Sequence, residues 1–221
     1  MAGLGSFPIE SLIKAAMRRN RNDLDAFANG FPKPYAENLY LLFEKIGAER
    51  AEKCSYGLGI FVSRVIQKHL QDKFVYLDVT PIDGHIVIGA ESEIESYVYV
   101  NGTVDAACMS CTGGVFMING NVRMAAVSIC SDLSLFVKGY VGKSAIDWSN
   151  NCVVKAEEFR MPICNESKNC FVISGKPIKL KPCENCKFVV GEINDEVAMN
   201  LLKCKTSEDY QILLYEEFLQ R

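Results

Sequence analysis

GTVDAACMSCTGGVFMINGNVRMAAVSICSDLSLFVKGYVGKSAI, residues 102–146, decides the fold, because it repeats with a pitch of roughly 18 residues. Gly102 is followed by Gly120 and Gly139, and glycines at 84, 175 and 191 extend the series both ways. The 36-residue gap between Gly139 and Gly175 holds two repeats, with Glu157 where a glycine would fall. Two residues after this position stand Ile86, Val104, Val122, Val141, Phe159, Pro177 and Ile193. Two before it stand Val100, Ile118, Val137, Lys155, Ile173 and Val189; four before it, Val98, Phe116, Leu135, Val153, Phe171 and Lys187. A narrower column six residues after it holds Ala90, Cys108, Ala126, Ala145 and Ile163. One coil cannot bury its own inner face, whereas stacked coils set like residues on like. Residues 84–193 therefore predict a β-solenoid of about six coils.

Outward from the repeat, the chain changes character. Residues 1–73 carry helical periods: Ile9, Leu12, Ile13 and Met17; then Tyr35, Leu39, Leu42 and Phe43 after Pro34; then Ile60, Val62, Val65, Ile66 and Leu70. Proline suits a first helical turn, and Gly57 and Gly59 read as the break before the third helix. The run Arg18, Arg19, Arg21 reads as a solvated helix end. From Phe74 the alternation of Val75, Leu77 and Val79 marks the first strand. Past the coils, Val197, Leu201, Leu202, Ile212, Leu213, Tyr215 and Phe218 supply an apolar stripe for a helix over about 195–220. The expected organisation is α+β: a helical domain over 1–73, a solenoid over 74–193 and a capping C-terminal helix over 194–221. Caps are expected because open strand edges template aggregation.

The stretches GTVDAACMSCTGGVFMI and GYVGKSAI resemble the GXGXG repeats of the β-helix domain that ends the glutamate synthase large subunit. Similar repeats occur in the C subunit of formylmethanofuran dehydrogenase. The matching positions are Gly102, Val104, Gly113, Gly114, Gly120, Val122, Gly139, Val141, Gly142 and Ala145. Where that pattern has a second glycine three residues on, this chain has Asp105 and Arg123, and only Gly142 conforms. The resemblance implies a right-handed, single-stranded β-helix with glycines at tight corners, serving as a structural, non-catalytic element. A left-handed hexapeptide β-helix and a bactofilin-like solenoid are the alternatives; VDAACM, VRMAAV and VGKSAI have hexapeptide flavour. The longer strand stretches VYV, VFMI and LFV favour the right-handed form.

Chemistry has few carriers. Asn151-Cys152, Asn169-Cys170 and Asn185-Cys186 recur in register, which predicts an asparagine ladder beside a cysteine ladder. Asparagine tolerates left-handed backbone at a corner, and a free cysteine packs as a small hydrophobe. The alternative use of the thiols is zinc: Cys183 and Cys186 have ligand spacing, and Cys164 and Cys170 come from the coil before. Cys108 and Cys111 lie too many coils away to join that site. Only two histidines, His69 and His85, could assist catalysis, and no P-loop, Rossmann fingerprint, GxSxG or HExxH occurs.

Among 221 residues, 24 are Lys or Arg and 27 Asp or Glu, a net charge of −3 that argues against nucleic acid as partner. Lys176, Lys179, Lys181 and Lys187 cluster beside the CxxC, but the aromatic partners there are limited to Phe171 and Phe188, both at strand positions. No apolar run reaches the ~18 residues of a membrane span. The start, MAGLGSFPIES, lacks a basic, apolar leader, so a cytoplasmic protein is expected, with its ten cysteines unpaired. The expected role is a structural or interaction protein without cofactor, probing a protein partner or itself through a flat face bearing Tyr97, Tyr99 and Tyr140. A zinc-binding module and an enzyme with an unrecognised site are the alternatives.

Overall fold

The computed structural model describes residues 3–191 and the backbone of 210–214. Four helices come first: α1 (Ile9–Arg18), α2 (Arg21–Asn29), α3 (Tyr35–Ile46) and α4 (Ala48–His69). The second is started by Asn20, whose side chain accepts a hydrogen bond from the Asp23 N–H, and the sequence reading passes over it. Arg21, read as part of a solvated helix end, opens that helix. Its guanidinium grips the Glu91 carboxylate of the solenoid (Nη2–Oε1 2.8 Å).

Gly57 and Gly59 do not break a helix, as expected from their type; both lie inside α4, whose backbone kinks earlier, at Cys54. Their reason is close approach. A Cβ on Gly57 would stand 2.1 Å from the Ala16 carbonyl oxygen, and one on Gly59 would stand 2.0 Å from that of Val87. The bare stretch thus lets α4 lie against α1 and against the first coil. Leu58, Phe61, Val62 and Val65 then join one continuous core with Val87, Ile88 and the coil interior.

The solenoid is present as a parallel stack of about six turns. Its long sheet runs in the order Phe74–Asp78, Tyr97–Asn101, Val115–Asn119, Ser134–Val137, Val153–Ala156, Phe171–Ser174, Cys186–Val190 and Tyr210–Leu214. Shorter parallel pairs close the other sides, such as Tyr140–Val141 with Glu158–Phe159 and Ala145–Asp147 with Ile163–Asn165. The last long strand corrects the sequence reading: residues 210–214, expected within a C-terminal helix, pair in parallel with Cys186–Val190. The rest of that expected helix lies outside the described residues.

The narrow column is one residue off in its first members: Ile88 and Ala107, not Ala90 and Cys108, line up with Ala126, Ala145 and Ile163. The inner columns of the long sheet hold as far as Ser134–Val137, with Val98, Phe116 and Leu135 in register and fully buried. They then slip by one. Leu135 pairs with Val154 rather than Val153, and Phe136 with Lys155. The cause is the corner. Two residues, Lys138 and Gly139, separate Val137 from Tyr140, whereas one, Glu157, separates Ala156 from Glu158. Because side chains alternate, one residue fewer sends the neighbouring set inward. Val154, Val172 and Phe188 therefore fill the core, and Lys155 and Lys187 point to solvent. Two lysines in apolar columns were the signal of that slip.

The asparagine ladder is confirmed and extends further. Gly113, Asp132, Asn151, Asn169 and Asn185 stand one above another, all with φ between 50° and 73°. Asn151 Nδ2 donates to Asp132 Oδ1 (2.6 Å), Asn169 Nδ2 to Asn150 Oδ1 (2.9 Å) and Asn185 Nδ2 to Asn169 Oδ1 (2.7 Å). Left-handed backbone costs other residues about 1–2 kcal/mol and asparagine less, which accounts for the residue type at this corner.

Candidate interaction face and thiol cluster

The outward side of the long sheet is apolar where a solvated sheet would be polar. Pleating directs alternate residues of each strand outward. One outward column reads Tyr76, Tyr99, Met117, Phe136, Lys155 and Ile173, and another begins Phe74, Tyr97, Val115 and Ser134. Phe74 is 67% exposed, Tyr97 59%, Tyr76 47% and Met117 45%. Tyr76 and Tyr99 stack with ring centroids 5.7 Å apart. Two hollows mark the face. One, of about 420 Å³, lies among Tyr99, Met117, Phe136, Lys138 and Lys155. The other, of about 600 Å³, lies between α3 and the first strand, lined by Glu37, Tyr40, Leu41, Tyr76 and Asp78.

Charge sits at the margins. Burial pushes the Asp78 carboxyl up, but hydrogen bonds from Thr80 and Asn101 outweigh it and hold the group below the usual range, so it is ionised at neutral pH. The column that begins at Asp78 continues through Asn101 and Asn119 toward Lys138. Tyr140, expected on this face, belongs to the next side of the coil, where the Arg160 guanidinium lies 3.4 Å from its ring centroid.

The cysteine ladder expected beside the asparagines is present. Cys152, Cys170 and Cys186 stack as a buried column in the coil interior. Cys186 Sγ donates to the Ser167 and Glu184 carbonyls (3.7 and 3.4 Å), and the neighbouring Cys164, then Cys170 and Cys183, pull its proton affinity down. In return Cys164 is pushed well up by Cys183, then by Cys186 and burial. Cys170 is pushed up by Cys152, then by Cys186 and burial. Among the described residues, however, no group of three or more His, Cys, Asp or Glu side chains is arranged to hold a metal ion.

A further column escaped the sequence reading. Ser92, Cys111, Cys130, Ser149 and Ser167 stack at one corner. The Cys111 N–H donates to Cys130 Sγ (3.3 Å), the Cys130 N–H to Ser149 Oγ (3.2 Å) and the Ser149 N–H to Ser167 Oγ (3.2 Å). Ser and Cys share this column because either can accept a backbone N–H, and only their 18–19-residue spacing could have revealed them. Cys108 and Cys111 are buried packing groups; burial pushes the Cys111 thiol up to about 11 and Cys130 to about 12. Both stay protonated and poorly nucleophilic near neutrality.

The two histidines gain no nucleophile. His69 stacks on Tyr35 and meets the Ala28 carbonyl. His85 Nδ1 lies 3.4 Å from Asp105 Oδ2, and Arg123 bridges Asp105 and Asp83 at 3.2 Å each. Among the described residues no helix is long and apolar enough to cross a membrane. No family model, curated protein or solved structure matches the chain.

Proposed function

We propose that this protein is a non-catalytic assembly subunit whose working surface is the outward face of the long sheet. The observation that carries the reading is the aromatic and apolar stripe from Tyr76 to Phe136, laid on a rigid stack with charged groups only at its margins. Soluble chains seldom expose contiguous apolar patches without a use for them. The resemblance to the GXGXG β-helix domains supports the same role and implies a right-handed winding. Reactive groups elsewhere are either buried thiols or a charge network without a nucleophile, which favours binding over catalysis. The test is a Met117→Lys variant of the tagged protein, checked for unchanged circular dichroism and sized in native cell extract. The wild type should migrate as part of a larger assembly and the variant at monomer size. A wild type that runs as a monomer in extract would contradict the reading.

A second reading is favoured by one observation, the nearness of Cys164, Cys170 and Cys183 to Cys186 in the last coils. Zinc bound by Cys164, Cys170, Cys183 and Cys186 would tie together the last coils, where the inner columns weaken to Ala156 and Ser174. The residues supply enough sulfur, but the thiols would have to lose protons and close up from their present hydrogen-bonded arrangement.

A further inference from the structure

We infer that the partner of the sheet face is a second copy of the same chain, packed face to face about a two-fold axis parallel to the strands. The inference rests on the interaction reading above and names its occupant. An isologous contact requires a surface complementary to itself after rotation. A two-fold axis parallel to the strands keeps each outward column and reverses the order of strands along it. With the axis between Tyr97–Asn101 and Val115–Asn119, the column Tyr76, Tyr99, Met117, Phe136 maps onto itself: Tyr76 meets Phe136, and Tyr99 meets Met117.

The polar column obeys the same rule. Asp78 falls opposite Lys138, and Asn101 opposite Asn119. One strand further out, Lys155 arrives over the groove beside α3 that Glu37 and Tyr40 line. Each acidic site thus receives a lysine, and each does so twice. Head-to-tail stacking would match charges only once and would not close. The footprint covers about six strand spacings of ~4.8 Å by five residues of ~3.3 Å, roughly 450 Å² of plane per copy. Two copies bury about 900 Å² of plane, close to the lower limit of about 1,000 Å² for a specific interface. Sheets packed this way lie about 10 Å apart, a gap that Tyr, Met and Phe side chains fill.

Sedimentation equilibrium of the purified full chain tests the geometry. The wild type should dimerise at tens of micromolar or below, roughly the range expected of a minimal interface. Lys138→Glu, an exposed substitution, should weaken the dimer about tenfold or more by facing Asp78 with a like charge. Lys138→Glu combined with Asp78→Lys should restore it to within a few-fold. Trp148→Ala, on another corner of the coil, should leave it unchanged. A wild type that stays monomeric to about 100 µM, or a folded Lys138→Glu that dimerises normally, overturns the inference. A purified monomer that still enters a large assembly in extract would reject self-pairing and leave the interaction reading standing.

Discussion

Residues of the same type do three different jobs here, and position in the coil decides which. Cys130 accepts a backbone N–H from the coil before it and so stands in for serine, as its column neighbours Ser149 and Ser167 show. Cys108 is fully buried at a corner in line with Gly89, Val127 and Ile146, one residue off the small column expected of it, where Ala107 stands with Ala126 and Ala145. Cys186 stacks in the column of Cys152 and Cys170 and donates to the Ser167 and Glu184 carbonyls, with Cys164 and Cys183 near it. These roles predict opposite results from one substitution. If the thiols of the last coils hold zinc, protein purified without a histidine tag should carry about one zinc per chain by elemental analysis. Cys186→Ser should then lose the metal and Cys130→Ser keep it. Protein free of stoichiometric zinc would reject the metal and leave the four thiols as packing. Stability does not separate the two cases, because a serine at 130 still accepts the Cys111 N–H, while a loss at 186 follows equally from lost metal or lost packing.

At the scale of elements, the sequence made the repeat legible and misplaced its phase after one corner. The glycine columns and the Val, Ile and Phe columns carry the period because stacking demands like on like. What they cannot carry is a corner one residue shorter, since Glu157 keeps the glycine count while the strand after Leu135 slips from Val153 to Val154. The helices show the complementary failure. Gly57 and Gly59 look like punctuation by residue type, yet they are contact points, visible only once Ala16 and Val87 are in place. That difference gives a prediction of sign. Gly→Ala inside a helix ordinarily stabilises by about 1 kcal/mol. Gly59→Ala should instead destabilise by about 1–3 kcal/mol, because the methyl group would have to displace the Val87 backbone. Chemical denaturation followed by circular dichroism measures this. A variant as stable as the wild type would mean that α4 does not seat on the first coil as described.

Taken whole, the molecule is a helical cap and a solenoid sharing one core, and its unexplained surface is the long sheet's outer face. The face was partly readable in advance: Tyr97 and Tyr99 announce it, while Tyr140 lies around the corner and Phe74, Tyr76, Met117 and Phe136 emerge only from the strand register. The column of Cys152, Cys170 and Cys186 was readable from its spacing, but the serine–cysteine column was hidden by its mixed composition. The central claim, that the outer face is covered when the protein works, has an internal control built into the chain. Met117 on the face and Met124 on another side are equally exposed in the isolated chain, at 45% and 44%. Brief peroxide treatment followed by mass spectrometry gives the oxidation rate of each, in dilute purified protein and in native extract. The account predicts equal rates in dilute solution and a Met117 rate several-fold slower than that of Met124 in extract. Equal rates in both settings would contradict it.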